Sequence, residues 1–146
     1  MVINPQIFRE YDIRGIVGRD LTSEAATLIG KGFGTLLNRS QKKIITLGRD
    51  CRLSSEDLKS ALVSGLLSTG CQVIDLGLIP TPLLYFSLHH FNPDGGIMIT
   101  GSHNPPEYNG LKLCIGKWTL YGPEIQEIRQ VIQKGDFVQG AGNVSE

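Results

Sequence analysis

Three short apolar runs, Lys43–Leu47, Cys71–Leu76 and Gly96–Thr100, alternate along the chain with longer segments of helical periodicity. No other feature narrows the possible folds as far. Strand, helix and strand in succession pair most readily as parallel neighbours joined by crossovers, with the helices laid over the sheet. The first helix is expected from about Thr22 to Asn38, where Ala25, Ile29, Phe33 and Leu36 or Leu37 recur at helical spacing behind an N-capping Thr22. A second begins near Ser54, which forms a capping-box pattern with Asp57, and it carries Leu58, Ala61, Leu62, Gly65 and Leu66 until Gly70 stops it. A third follows Pro80, with Thr81 as N-cap and Pro82 at the first helical position. The last runs from about Pro123 to Gln133, with Ile125, Ile128 and Ile132 on one face.

Leu111, Leu113 and Ile115 alternate with Lys112 and Cys114, the period of a half-buried strand. This strand is entered from the loop Gly101–Asn109, too short for a parallel crossover, so it is expected to run antiparallel to its neighbour. The expected architecture is α/β, a three-layer α/β/α sandwich around a mixed, mostly parallel four-stranded sheet. A chain of 146 residues matches one domain, expected over residues 1–135. Residues 136–146 show no periodicity and read as the start of an interdomain linker or a disordered tail. Arg49, Thr81 and Ser102 each follow a strand end, so they are expected along the sheet edge where ligands gather in such folds.

Charge excludes some functions. Fourteen basic and 14 acidic residues cancel, so there is no basic field for nucleic acid or an anionic membrane. No apolar run approaches the ~20 residues of a membrane span, and MVINPQIFRE lacks the pattern of a secretion leader. A soluble, cytoplasmic protein is expected. Cys51, Cys71 and Cys114 are odd in number and far apart, which reads as reduced core thiols. Gly30, Gly32 and Gly34 imitate a nucleotide-binding pattern, but they lie inside a helix, where close packing on the sheet explains them better.

The segment richest in chemistry is Thr100–Lys112, TGSHNPPEYNGLK. Gly101 permits close approach to a ligand, Pro105 and Pro106 stiffen the chain, and Asn109-Gly110 reads as a tight turn into the following strand. A serine held on such a loop is a candidate nucleophile, against the plainer reading of a surface loop in which Ser102 caps a turn.

That segment closely resembles the active-site serine loop of the α-D-phosphohexomutase superfamily. Phe8–Gly15 (FREYDIRG), Gly48–Arg52 (GRDCR) and Gly77–Pro82 (GLIPTP) resemble further motifs of that family's first domain, in the same order. The forms YDIR and TGSHNP are similar to phosphomannomutase/phosphoglucomutase members, whereas phosphoglucosamine mutases usually differ near the N-terminus. The resemblance implies that Ser102 carries a phosphoryl group, transfers it to a hexose monophosphate, and recovers another from the bisphosphate intermediate. A hexose 1,6-bisphosphate would act as activator. It also implies that Lys112 supplies positive charge or assists proton movement, and that His103 either shuttles a proton or orients the loop. Tyr11 and Arg14 would bind substrate or take part in domain closure; read alone, Tyr11 would pack and Arg14 would make an ion pair. Arg49 either braces the serine loop or, like Arg52, pairs with Asp50 or Glu107. Trp118 and Tyr121 read as packing or interdomain surface, and His89 and His90 have no partners at ligand spacing.

Family members have four domains around one cleft, and this sequence matches the first. Mg²⁺ is implied through an oxygen of the Ser102 phosphate, with aspartates from a D-G-D-x-D-R loop that this sequence lacks. The expected partners are a hexose phosphate and the remaining domains, and the chain alone is expected to fold but to be inactive. A non-catalytic module reusing the domain, a phosphoglucosamine mutase domain and a serine hydrolase are the competing classes. The last is disfavoured because this sequence has no G-x-S-x-G elbow and His103 is adjacent to Ser102 rather than brought across by the fold.

Overall fold

The computed structural model describes residues 3–146. Met1 and Val2, the first residues of the domain expected over 1–135, lie outside the described residues. In chain order the elements are β1 (Ile13–Ile16), α1 (Ser23–Arg39), β2 (Ile44–Arg49), α2 (Ser55–Ser68), β3 (Gln72–Leu78), α3 (Thr81–His90), β4 (Gly95–Ile99), β5 (Tyr108–Ile115), β6 (Trp118–Thr119), α4 (Pro123–Lys134) and β7 (Asn143–Ser145). The strands form one sheet in the order β1-β5-β4-β2-β3-β7, with β6 paired to β5. β4, β2, β3 and β7 run parallel, while β5 is antiparallel to β4 and to β1.

Alternation along the strands divides the core. Ile45, Leu47, Ile97, Ile99, Leu111 and Leu113 join a single apolar cluster with Ile29 and Phe33 of α1, Leu62 of α2 and Ile128 of α4. On the other face α3 packs against β2 and β4, where the Ser87 hydroxyl donates to Thr46 Oγ1 at 3.0 Å. The expected α/β/α layering holds, with seven strands among the described residues rather than four. The extra strands are short or weakly patterned: Ile13–Ile16 interrupts its apolar residues with Arg14 and Gly15, and β6 has two residues. The tail beyond Gly135 also returns to the sheet. Gly140 and Gly142 donate to the Ser68 and Leu67 carbonyls at the end of α2, which delivers β7 alongside β3.

Thr22 caps α1 as expected, its hydroxyl accepting from the Ala25 N–H at 3.0 Å. Ser54 does not cap α2. Its backbone is already helical, and its hydroxyl accepts from Asn109 Nδ2 instead. Thr81 is likewise inside α3 rather than ahead of it, and Pro80 stands at the cap position. Asn109-Gly110 forms no turn, because both residues lie within β5. Gly110 is required by close pairing: a side-chain carbon there would meet the Ile13 carbonyl of β1.

Gly30 and Gly32 of α1 face other helices rather than the sheet, and Gly34 faces Thr69 and Cys71 in the turn between α2 and β3. A Cβ on Gly30 would strike the backbone of Leu62 and Leu66, and one on Gly65 would strike the Thr27 carbonyl. The two helices thus meet backbone to backbone, and Thr27 Oγ1 donates to the Ala61 carbonyl across the contact. Gly32 receives Ile128 and Ile132 of α4. Gly65→Ala should therefore lower stability despite alanine's better helix propensity, by about 1–3 kcal/mol for an overpacked contact. Thermal unfolding would show a lower midpoint; an unchanged or higher midpoint would mean that the helices part without strain.

Candidate active site

Ser102 lies just beyond β4, at the carboxyl end of the parallel strands, where the loop 100–107 crosses the sheet edge before β5 begins. It is exposed and adopts φ +53°, a left-handed conformation that non-glycine residues seldom take. Its N–H donates to Thr100 Oγ1 at 3.0 Å, and its carbonyl accepts from Arg52 Nη2 at 3.1 Å. An open depression of about 560 Å³ lies beside it, lined also by Asp50, Cys51, Arg52, Asn104 and Pro106.

The brace of this loop is Arg52, not Arg49. Nη1 of Arg52 donates to the carbonyls of Pro105 (2.8 Å) and Tyr108 (3.0 Å), and Nη2 donates to those of Ser102 and Asn104 (2.8 Å). Its Nε lies 3.4 Å from Asp50 Oδ2. Gly101 makes room for this guanidinium, since a Cβ would overlap it. The close approach inferred at Gly101 is therefore to Arg52 rather than to a ligand. Arg49 pairs instead with Glu56 at 2.9 Å and, more distantly, with Asp75. The spacing from β2 could have flagged Arg52, because it lies three residues past the strand end; the direction of its side chain was not readable.

Asp50 receives the Ser55 hydroxyl at 2.7 Å, the Arg52 N–H at 3.1 Å and the Gly101 N–H at 3.2 Å. Burial by itself would push this carboxyl up. Hydrogen bonds from Ser55, Arg52, Thr100 and Gly101 outweigh it and hold the group below the ordinary carboxylate range.

Arg14 pairs with Asp12 at 2.6 Å, and its Nη1 reaches Asn104 Oδ1 at 3.5 Å. Asn104 Nδ2 in turn donates to the Gly101 carbonyl at 2.8 Å. Arg14 is thus joined to the serine loop through one side chain. It stands opposite Gly110 in the β1–β5 pairing, and Lys112 is two residues further along β5 on the same face. Lys112 is half-buried and has no hydrogen-bonded or ionic partner among the described residues. His103 is exposed beside Ser102. Tyr11, by contrast, is 70% exposed and lines a different depression of about 740 Å³ with Trp118, Leu120 and Tyr121. It neither packs in the core nor enters the Ser102 depression. Cys71 and Cys114 are buried, and burial pushes both thiols up; Cys51, expected as a core thiol, is exposed at the depression. His89 and His90 are exposed at the end of α3, where His90 stacks on Phe86.

Among the described residues no group of three or more His, Cys, Asp or Glu is placed to hold a metal ion. The one carboxylate lining the Ser102 depression, Asp50, has its oxygens engaged by protein donors. The described residues by themselves therefore do not make a Mg²⁺ site, which needs several oxygen ligands in near-octahedral array.

The depressed carboxyl of Asp50 sets a pH dependence. Its contribution to stability is complete above the unfolded-state value of about 3.9 and is lost as pH falls through the lower folded-state value. Asp50→Asn should reduce stability at neutral pH and flatten its decline on acidification below about pH 5. Urea unfolding across pH 3–7 measures both, and equal slopes in the two proteins would deny Asp50 this role.

A family model described as phosphoglucomutase/phosphomannomutase, alpha/beta/alpha domain I, matches residues 5–139. The phosphomannomutase/phosphoglucomutase of Pseudomonas aeruginosa is 44% identical over 140 residues, which are 96% of this chain and 30% of that protein. The probable phosphoglucosamine mutase of Thermococcus gammatolerans is 46% identical over 126 residues, 86% of this chain and 27% of that protein. A crystal structure of a phosphoglucomutase/phosphomannomutase family protein from Burkholderia thailandensis superposes with a TM-score of 0.93 at 36% identity, over 99% of this chain and 33% of the other. The chain spans about 30% of the length of the curated relatives it matches. The family model covers most of the chain and the superposition extends over nearly all of it, so the chain belongs to the phosphoglucomutase/phosphomannomutase family, as its α/β/α domain I.

Proposed function

We propose that this chain is the phosphoserine-bearing domain of a mutase that interconverts hexose 1-phosphate and hexose 6-phosphate through a bisphosphate. The observation that carries this reading is Ser102, a non-glycine residue held exposed at φ +53° at the sheet edge. Backbone of that kind is costly and is found where surroundings over-determine it, often at functional sites.

In the forward step a free sugar hydroxyl attacks phosphorus, its bond to Ser102 Oγ breaks, and the sugar proton leaves to a nearby base. After the bisphosphate reverses, Ser102 Oγ attacks the other phosphorus, the bond from that phosphorus to the sugar oxygen breaks, and the sugar oxygen takes the proton back from the base as the hexose monophosphate departs. The transition state is loose and spreads negative charge over the equatorial oxygens, so alignment and positive charge are the main demands on the protein. Lys112 and Arg14 supply charge from one face of β5 and β1, His103 offers a donor or proton relay beside the serine, and Tyr11 meets the sugar or a neighbouring domain on closure. Mg²⁺, when bound to the phosphoserine, would add charge neutralisation with ligands from outside this chain. One relative is named for mannose and glucose and the other for glucosamine, so the substrate is assigned as a hexose phosphate, with mannose or glucose favoured by the YDIR motif and glucosamine as the alternative. The remaining domains are the required partners, the chain alone is inactive, and the cytoplasm suits a phosphorylated sugar substrate. No helix among the described residues is long and apolar enough to cross a membrane.

Incubating the complete polypeptide with labelled hexose 1,6-bisphosphate should place label on Ser102, and Ser102→Ala should abolish both labelling and turnover. Label on another residue, or full turnover by the alanine variant, would sink the assignment. Lys112→Met should lower kcat by about 10²-fold or more, as expected on removing a preorganised charge, while leaving the unfolding midpoint nearly unchanged. Full kcat in that variant would make Lys112 a solvated lysine.

A further inference from the structure

The Ser102 side chain makes no hydrogen bond to any described residue, so the backbone sets where its Cβ projects and only χ1 is left to aim the hydroxyl. Two contacts hold that backbone in the left-handed region: Thr100 Oγ1 on its N–H, and Arg52 on its carbonyl. The second is part of a larger clamp. Four carbonyls between Ser102 and Tyr108 converge on the two terminal nitrogens of one guanidinium, and Nε faces Asp50. The side chain is only 16% exposed, and each nitrogen already has a protein partner, with Asp50 balancing the charge. Arg52 therefore has no donor left for a phosphoryl group, although it lines the depression beside Ser102. A planar fork with five donors can span carbonyls on both sides of a loop; an ammonium concentrates its donors at one point and cannot.

We propose that Arg52 is a positioning residue for phosphoryl transfer at Ser102, acting through the geometry of its fork rather than through its charge. This rests on Ser102 being the phosphoryl acceptor. The clamp sets the serine in its left-handed conformation, so that the hydroxyl meets the incoming phosphorus without rearrangement of the loop. Small errors in such alignment are expensive, on the order of 10²-fold for about 1 Å. Arg52, with its donors already engaged by the loop carbonyls and Asp50, thus influences the rate of transfer more than the affinity for the sugar.

The test compares the complete wild-type polypeptide with Arg52→Lys and Arg52→Ala. Arg52→Lys keeps the charge and loses the fork, and its kcat should fall about 10²-fold while KM for hexose 1-phosphate stays within about threefold. Arg52→Ala should fall at least as far and regain part of its kcat with added guanidinium at non-denaturing concentration. Crystal structures of the variants should show Ser102 outside the left-handed region. The positioning role is overturned if Arg52→Lys keeps kcat within about threefold of wild type, or if the loss in both variants equals the loss of folded protein measured by circular dichroism. Wild-type protein that takes up no phosphoryl group on Ser102 would instead refute the acceptor reading itself, and that labelling is scored separately from the loop conformation of the variants.

Discussion

The serine loop has no regular secondary structure, yet its backbone carbonyls need partners wherever water is displaced. The Asp50–Arg52 unit meets that need. Asp50 is held at the end of β2 by its own N–H donating to the Ile99 carbonyl of β4, and its carboxylate receives N–H groups from both Arg52 and Gly101. Arg52 then gathers four carbonyls of the loop. Two chain segments about fifty residues apart thereby behave as one rigid edge. Without that unit, a left-handed Ser102 would have only the Thr100 hydroxyl to hold it.

Sheet order determines what else reaches this edge. Because β5 returns antiparallel beside β4 and then pairs with β1, Arg14 and Lys112 share one face close to the loop that precedes β5. Asn104 bridges Arg14 to the loop, so the N-terminal motif and the serine motif meet through side chains. Beneath them, the glycine contacts between α1 and α2 bring two helices close enough to cover one face of β2 and β3. That cover keeps the ends of β2 and β4, and so Asp50 and Ser102, in register.

The family of the chain was legible because its motifs are local: the serine loop and the segments around Tyr11, Arg49 and Pro80 each occupy a few consecutive residues. Helix positions were legible for the same reason, since apolar spacing in α1, α2 and α4 is a property of neighbouring residues. Features that depend on distant pairing were misread. Asn109-Gly110 has the composition of a turn but sits in a strand, because Gly110 must admit the β1 backbone and Asn109 must reach the hydroxyls of Ser54 and Ser55. Ser54 looked like a cap because the spacing to Asp57 is right, yet a partner 55 residues away takes its hydroxyl.

By itself, then, the sequence determined the α/β class, the succession of strands and helices, the antiparallel return of β5 and the position of Ser102 on the loop between β4 and β5. Apolar periodicity acts over a few residues and survives without knowledge of the fold. Only the tertiary structure decided that Arg52 rather than Arg49 clamps the loop, that Arg14 reaches it through Asn104 while Tyr11 faces another depression, and that the tail closes the sheet as β7. Two arginines three residues apart are chemically alike. Which of them meets the loop depends on the direction each side chain takes from the strand end, and the packed sheet and helices set that direction.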